Sequence, residues 1–293
     1  MEATGTEIDV DALLRLRYAV SSSRTGRKPP RSVAPGAVLH RQRGRGLEIY
    51  DIRSWSDGDD IRHLDRNVTA RTGAPHVRTF RDERERSAML VVDFRDSMMF
   101  GTRRAFRSVV AAEAIAAMAW RVIEQGGRIA ILAATPLGAR FIGRARGVAA
   151  TTSLIGELAL THRAIAAQPK RPDPPLAEIL IEAEGRAKDA AIFVATALDA
   201  PGDNFDGAAE RLARKCDLRV ALVVDRFETA PPAGVYPFQT DEGDAGVLHV
   251  ARDGKEARDS RPTRLRRLGV NFMQIDSGMS GENLASALEQ LDG

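Results

Sequence analysis

Residues 87–101 read SAMLVVDFRDSMMFG, and this stretch decides the fold. Ala88 to Val92 form an apolar run with no polar alternation, ending at Asp93 and the loop residues Phe94, Arg95, Asp96 and Ser97. A run that short suits a strand covered on both faces better than a helix. Similar runs follow at 128–134 (RIAILAA), 190–196 (AAIFVAT), 218–224 (LRVALVV) and 270–275 (VNFMQI). Helical spacing occupies 103–125, 176–187, 205–215 and 258–268, with a last helix at 282–291. Strands apolar on both faces and alternating with helices predict an α/β, doubly wound, mostly parallel sheet. VYPFQTDEGDAGVLHV, 235–250, reads as a hairpin inserted before the final strand–helix unit. Ligands of such sheets gather at the carboxyl ends of the strands, so the loop after Asp93 is the first place to look.

Upstream the pattern changes. Apolar residues at helical spacing in 8–20 predict a short helix, and the polar, Pro- and Arg-rich 21–36 reads as a linker or arm. Between Arg15 and Leu47 lie nine basic residues and no acid, although the whole chain carries only +3. Short extended pieces follow at 47–55 and 76–80, separated by an Asp-Gly turn. The expected organisation is therefore 1–35, helix and basic arm; 36–87, a β-rich segment; and 88–293, the α/β domain.

The 293-residue length permits a sizeable core. One cysteine, Cys216, excludes an internal disulfide framework and fits a reducing compartment. The acidic N-terminus lacks a signal-peptide pattern, and the best apolar stretch, 109–123, is interrupted by Glu113 and Arg121. A soluble cytoplasmic protein is expected, without membrane contact. Cys216 is expected to be a buried structural thiol.

The loop VVDFRDSMMFG resembles the metal-ion-dependent adhesion motif of von Willebrand A domains, Asp-x-Ser-x-Ser after the first strand. The resemblance implies a von Willebrand A-like fold and a divalent cation bound by hard oxygen ligands. Asp93 and Ser97 match the motif, whereas Arg95 stands at the first serine. Pro174 stands where the family has a threonine, and Ala197 near the place of the second aspartate. A guanidinium about 4 Å from a cation costs on the order of 4 kcal/mol at a surface-like dielectric. The expectation is a degenerate site with no metal and no cofactor, in which Arg95 pairs with Asp93. The alternative is that Asp96 or Asp199 rebuilds a cation site.

The stretch 44–85 is similar to the signature of the family called domain of unknown function 58, which is associated with MoxR-type AAA+ ATPases. Gly44, Gly46, Glu48, Arg53, Gly58, Asp59, Asp60, Arg62, Asp65, Ala70 and Arg71 fit that signature. Trp55 and Arg66 depart from it. The resemblance implies a non-enzymatic adaptor that works with a MoxR-type ATPase and a client protein. Candidate partner-binding residues are Asp93, Arg95, Asp96, Ser97 and Asp199, with a loop at 151–153 nearby.

Two rival readings compete. Asp57, Asp59, Asp60, His63 and Asp65 are able to form a metal cluster serving a hydrolase, or to pair with Arg53, Arg62, Arg66 and Arg71 and cap backbone amides. The basic arm suggests nucleic-acid binding, but no aromatic residues interleave with its arginines and no reading motif is present. The five histidines lack ligand spacing, and Ser277 and Ser280 read as turn and helix-cap residues.

Overall fold

The computed structural model describes residues 5–24, 47–56, 59–82, 87–188, 190–239, 244–251, 259–288 and 291. In chain order the helices and strands are α1 (Val10–Arg24), β1 (Leu47–Ser54), α2 (Arg66–Thr72), β2 (His76–Asp82), β3 (Ser87–Asp93) and α3 (Arg107–Glu124). Then come β4 (Arg128–Thr135), β5 (Gly138–Arg146), α4 (Val148–Ala166), α5 (Leu176–Ala187), β6 (Ala191–Thr196) and α6 (Phe205–Lys215). The chain continues through β7 (Leu218–Val224), α7 (Arg226–Thr229), β8 (Gly234–Gln239), β9 (Ala245–Val250), α8 (Arg261–Arg267), β10 (Asn271–Asp276) and α9 (Gly281–Ala287). Residues 1–27 with 86–293 form the larger of two units, and residues 28–85 the smaller.

The larger unit is built on a sheet of order β10-β7-β6-β3-β4-β5. Only the β4–β5 pair is antiparallel. Counted within the sheet, that is the doubly wound order 3-2-1-4-5-6 with its third strand reversed. The expected doubly wound, mostly parallel α/β architecture is therefore the one observed. β3 lies in the middle, and its alternate residues serve two cores. Leu90 and Val92 face one cluster with Ile115, Trp120 and Leu284; Met89 and Val91 face the other with Leu180, Phe205 and Leu212. Burial on both faces is why this strand shows no polar alternation. α3 packs against the sheet and against other helices, and its Ala111, Ala112, Ala114 and Ala116 are fully buried, small side chains that permit close approach.

The structure places three segments differently from the sequence reading. The helix assigned to a separate 1–35 segment belongs to the larger unit: Leu13, Leu16 and Val20 of α1 enter the first core, and Trp120 Nε1 donates to Leu13 O at 3.0 Å. The segment 138–166, given no element beforehand, holds β5 and α4. β5 carries arginines at exposed positions and so lacks the apolar run of its neighbours. Residues Thr151, Thr152 and Ser153, expected in a loop, lie in the first turns of α4, where Thr151 is buried and its Oγ1 donates to Gly147 O at 2.9 Å.

The expected hairpin is present as antiparallel β8–β9. In the smaller unit β1 and β2 pair antiparallel. Among the described residues, no helix is long and apolar enough to cross a membrane.

Candidate functional site

β3 delivers Asp93 to the carboxyl edge of the sheet, where its carboxylate is buried and accepts from four donors. Oδ1 receives Arg95 N at 3.1 Å and Arg95 Nε at 2.9 Å; Oδ2 receives Arg95 Nη2 at 2.7 Å and Thr196 Oγ1 at 2.7 Å. The remaining Arg95 N–H groups point at backbone oxygens. Nη1 donates to Pro174 O at 2.8 Å and Ala200 O at 3.1 Å, and Nη2 to Asp199 O at 2.8 Å. The guanidinium therefore sits in a shell of oxygens drawn from the loops after β3, before α5 and after β6. Burial alone lowers the affinity of Arg95 for its proton, but the charge and hydrogen bonds of Asp93 outweigh it and hold its pKa above the usual value.

The loop after β6 is shaped to present those carbonyls. Leu198 and Ala200 adopt left-handed backbone, φ 63° and 40°, a conformation that side chains with a Cβ adopt only at a cost. Leu198 N donates to Thr196 Oγ1 at 2.9 Å, which fixes the turn. Gly202 follows at φ 80°, and a Cβ there would lie 2.6 Å from Pro175 Cβ, so only glycine lets this loop close on the 171–175 segment. Strain of this kind concentrates where the chain is held for a purpose other than stability.

Asp96 and Ser97 are half-buried, with their amides bound to Asp173: Asp96 N to Oδ1 at 2.7 Å and Ser97 N to Oδ2 at 3.2 Å. Asp96 Oδ2 accepts from Arg171 N at 2.5 Å. Burial pushes the Asp173 carboxyl up, only partly offset by Ser97 and Arg95. Asp199 contributes its carbonyl to Arg95 and its carboxylate to Arg107 Nη2 at 2.8 Å. Its pKa is also raised, mainly by burial against the pull of Arg107.

From Asp199 a second network runs outward. Arg107 binds Glu228 and the carbonyl of Ser97. Glu228 also receives Arg261 Nη2 at 2.7 Å, and Arg261 in turn holds Asp259 through Nε at 2.9 Å and Ala197 O through Nη1 at 3.0 Å. Beside it Asp225, fully buried, accepts Thr102 Oγ1 and Ser277 Oγ, both at 2.5 Å, and Thr102 N at 2.9 Å. Burial pushes Asp225 up, but these donors win and hold it below the usual carboxylate range.

The structure thus brings Asp93, Arg95, Asp96, Ser97 and Asp199 together, and adds Arg107, Asp173, Thr196, Glu228 and Arg261, which sequence reasoning missed. Arg107 begins a helix and is charged, so it reads as solvated, yet it is 5% exposed. Asp173 sits among prolines and carries no motif; a carboxylate preceding a helix start was the one available signal.

These residues do not fit a divalent cation. Both Asp93 oxygens are saturated by donors, Pro174 supplies only a carbonyl, and a fixed positive charge lies in the middle of the shell. Asp96 and Asp199 point their carboxylates at Arg171 N and Arg107 rather than at Asp93. Among the described residues, no group of three or more His, Cys, Asp or Glu side chains could hold a metal ion.

At the acidic turn of the smaller unit, Arg53 Nη2 and Nη1 donate to the Asp59 oxygens at 2.6 and 2.8 Å, and Ser56 N donates to Asp59 at 2.8 Å. Asp60 accepts from Arg62 N at 3.0 Å, and Asp65 caps α2 by accepting from Val68 N at 3.0 Å. Arg66 and Arg71 are exposed, and Asp57 and Gly58 lie outside the described residues. The carboxylates here hold arginine and backbone amides, the second of the two arrangements weighed for this turn. Most of the basic arm, 25–46, lies outside the described residues. Cys216 is half-buried rather than fully buried. Ser280 caps α9, and Ser277 is engaged by Asp225.

Known proteins add the following. Uncharacterized proteins of Mycobacterium bovis and Mycobacterium tuberculosis are 40% identical over 91 residues, 31% of this chain. That segment spans only 29% of those relatives' length. An aerotolerance-related membrane protein from Bacteroides fragilis aligns in structure with TM-score 0.46 and 11% identity, over 71% of this chain and 98% of that one. The SpRpn10 VWA domain aligns with TM-score 0.41 and 10% identity, over 68% and 93%. The family model described as "Protein of unknown function DUF58" matches residues 51–268, most of the chain, and this protein therefore belongs to that family.

Proposed function

We propose that this chain is a non-catalytic interaction module, an adaptor between a MoxR-type AAA+ ATPase and a client protein, whose contact face is the carboxyl end of the sheet. In this reading the Asp93 loop is a degenerate adhesion site, and the Arg95 guanidinium stands where related domains hold a cation. The observation that carries it is the shell around Arg95: a fixed cation, saturated by Asp93 and three backbone carbonyls, at the end of the central strand. Such a group has no labile position and no free lone pair, so it suits holding a surface in shape better than turning over a substrate. The half-buried Asp96, Ser97 and Asp199 form the part of the face a partner meets.

The test is recovery of partners by the tagged protein from its native cell, with and without EDTA. The expected result is an AAA+ ATPase identified by mass spectrometry, retained in EDTA and lost in Asp96→Lys. Absence of any AAA+ ATPase with the unmodified protein ends the adaptor reading. Titration calorimetry tests the metal part separately. Micromolar Mg²⁺ or Mn²⁺ binding at one site, abolished by Asp93→Ala, would overturn it.

A further inference from the structure

Among the described residues β5 pairs with β4 on one side and with nothing on the other, so it ends the six-stranded sheet. In an antiparallel pair, every other residue of an edge strand turns its N–H and C=O away from its neighbour. The edge is therefore a template for another strand, and its side chains decide which.

Those side chains carry one sign of charge. Arg140 and Arg144 are exposed and form no ion pair with any described residue. Some exposed arginines elsewhere sit on carboxylates, Arg186 on Glu182, Arg211 on Glu184 and Arg267 on Asp206, whereas these two share one strand at the edge of the sheet. The two free arginines also flank the edge from both sides. Arg140 pairs across the ladder with Ala133, which faces the first core, and Arg144 with Ala130, which faces the second. Ile142 is the extra residue of a bulge, since Ile131 pairs with Gly143 and Leu132 with Phe141. The bulge is what sends arginines four residues apart to opposite faces.

On the second face Phe141 is half-buried between two cations. Arg144 lies 5.6 Å from its ring centroid and Arg186 lies 5.0 Å from it. Next to the strand, Leu137 is 68% exposed at the turn.

We infer that the outer edge of β5 is a docking strand for an extended acidic segment of a partner protein, added to the sheet with carboxylates meeting Arg140 and Arg144. Charged edges and bulges also keep sheets from pairing with their own copies. Here the same single-signed charge that repels a second β5 attracts an acidic strand. The ladder would supply affinity, and the two arginines the choice of partner.

The test uses the full chain and a fluorescein-labelled peptide of about eight residues that carries glutamates on both faces of an extended strand with valines between them, followed by anisotropy. The comparison probes are the same peptide with lysine for glutamate, the glutamate peptide N-methylated at successive residues so that both of its edges are blocked, and oligouridine. The expected result is binding by the glutamate peptide alone, weakened by salt and reduced about tenfold or more in Arg140→Glu/Arg144→Glu. Both positions are exposed, so the variant is expected to keep its melting temperature. Equal binding of the N-methylated peptide would show that no ladder forms and overturn the proposal. Binding of oligouridine in preference to the peptide, or no peptide binding at all, would also overturn it.

Discussion

Two aspartate–arginine forks in this molecule are nearly equal in length and opposite in setting. Arg95 grips Asp93 at 2.7 and 2.9 Å, and Arg53 grips Asp59 at 2.6 and 2.8 Å. The first pair is 0% and 1% exposed, the second 46% and 19%. The fork alone therefore says little about its energetic weight. In the exposed fork water solvates either partner once the other is gone, and salt screens what remains. In the buried fork neither charge has an alternative, so each becomes indispensable to the other without the pair having to add net stability. Arg95 must also hold three carbonyls from two other loops, which ties the segments at 174 and 199–200 to the end of β3.

The sharpest way to break the contrast is to remove each guanidinium. Arg95→Ala leaves Asp93 buried and unpaired, and is expected to lower the unfolding free energy by about 3–5 kcal/mol, measured by urea denaturation. Asp93→Asn with Arg95→Met is expected to recover part of that loss, because the stranded charge disappears. If Arg95→Ala costs no more than Arg53→Ala, burial is not the deciding variable.

A buried neutral group sharpens the same point. His162 is buried against Phe94, with Nε2 2.9 Å from Ser108 Oγ, and burial lowers its pKa to about 4. The folded value lies below the unfolded value of about 6.5. Its contribution is therefore complete above that pH and is lost as pH falls towards 4, up to about 3 kcal/mol. His162→Gln is expected to flatten that part of the stability–pH curve; an unchanged slope between pH 6.5 and 4 would refute the assignment.

Within the smaller unit, Asp65 is the buried counterpart of Asp59. Asp65→Ala removes the N-cap of α2 and is expected to cost about 1 kcal/mol, read as faster hydrogen exchange at the Val68 amide. The smallest effect is expected for Arg53→Ala: no shift in melting temperature beyond error at physiological salt.

Strand positions were legible because apolar runs separated by helical spacing survive in one dimension. β3, β6 and β7 fall within a residue of where 88–93, 190–196 and 218–224 placed them. β5 was not legible, since an edge strand needs no apolar run and its exposed arginines resemble those of a loop. Asp93 and Arg95 could be paired from spacing, as residues two apart flanking a strand end. Arg107 was lost because sequence shows a charge but not the carboxylates of Asp199 and Glu228 that meet it from distant loops.

The amino-acid order alone was enough for the alternating α/β pattern, the loop at the end of β3, and an arginine two residues beyond Asp93. What that arginine does depends on the folded chain. Its partners beyond Asp93 are main-chain carbonyls of residues 174, 199 and 200, and every residue type carries the same carbonyl. A backbone oxygen acquires chemical meaning from where the fold puts it, and that position leaves no mark on the side chains along the chain.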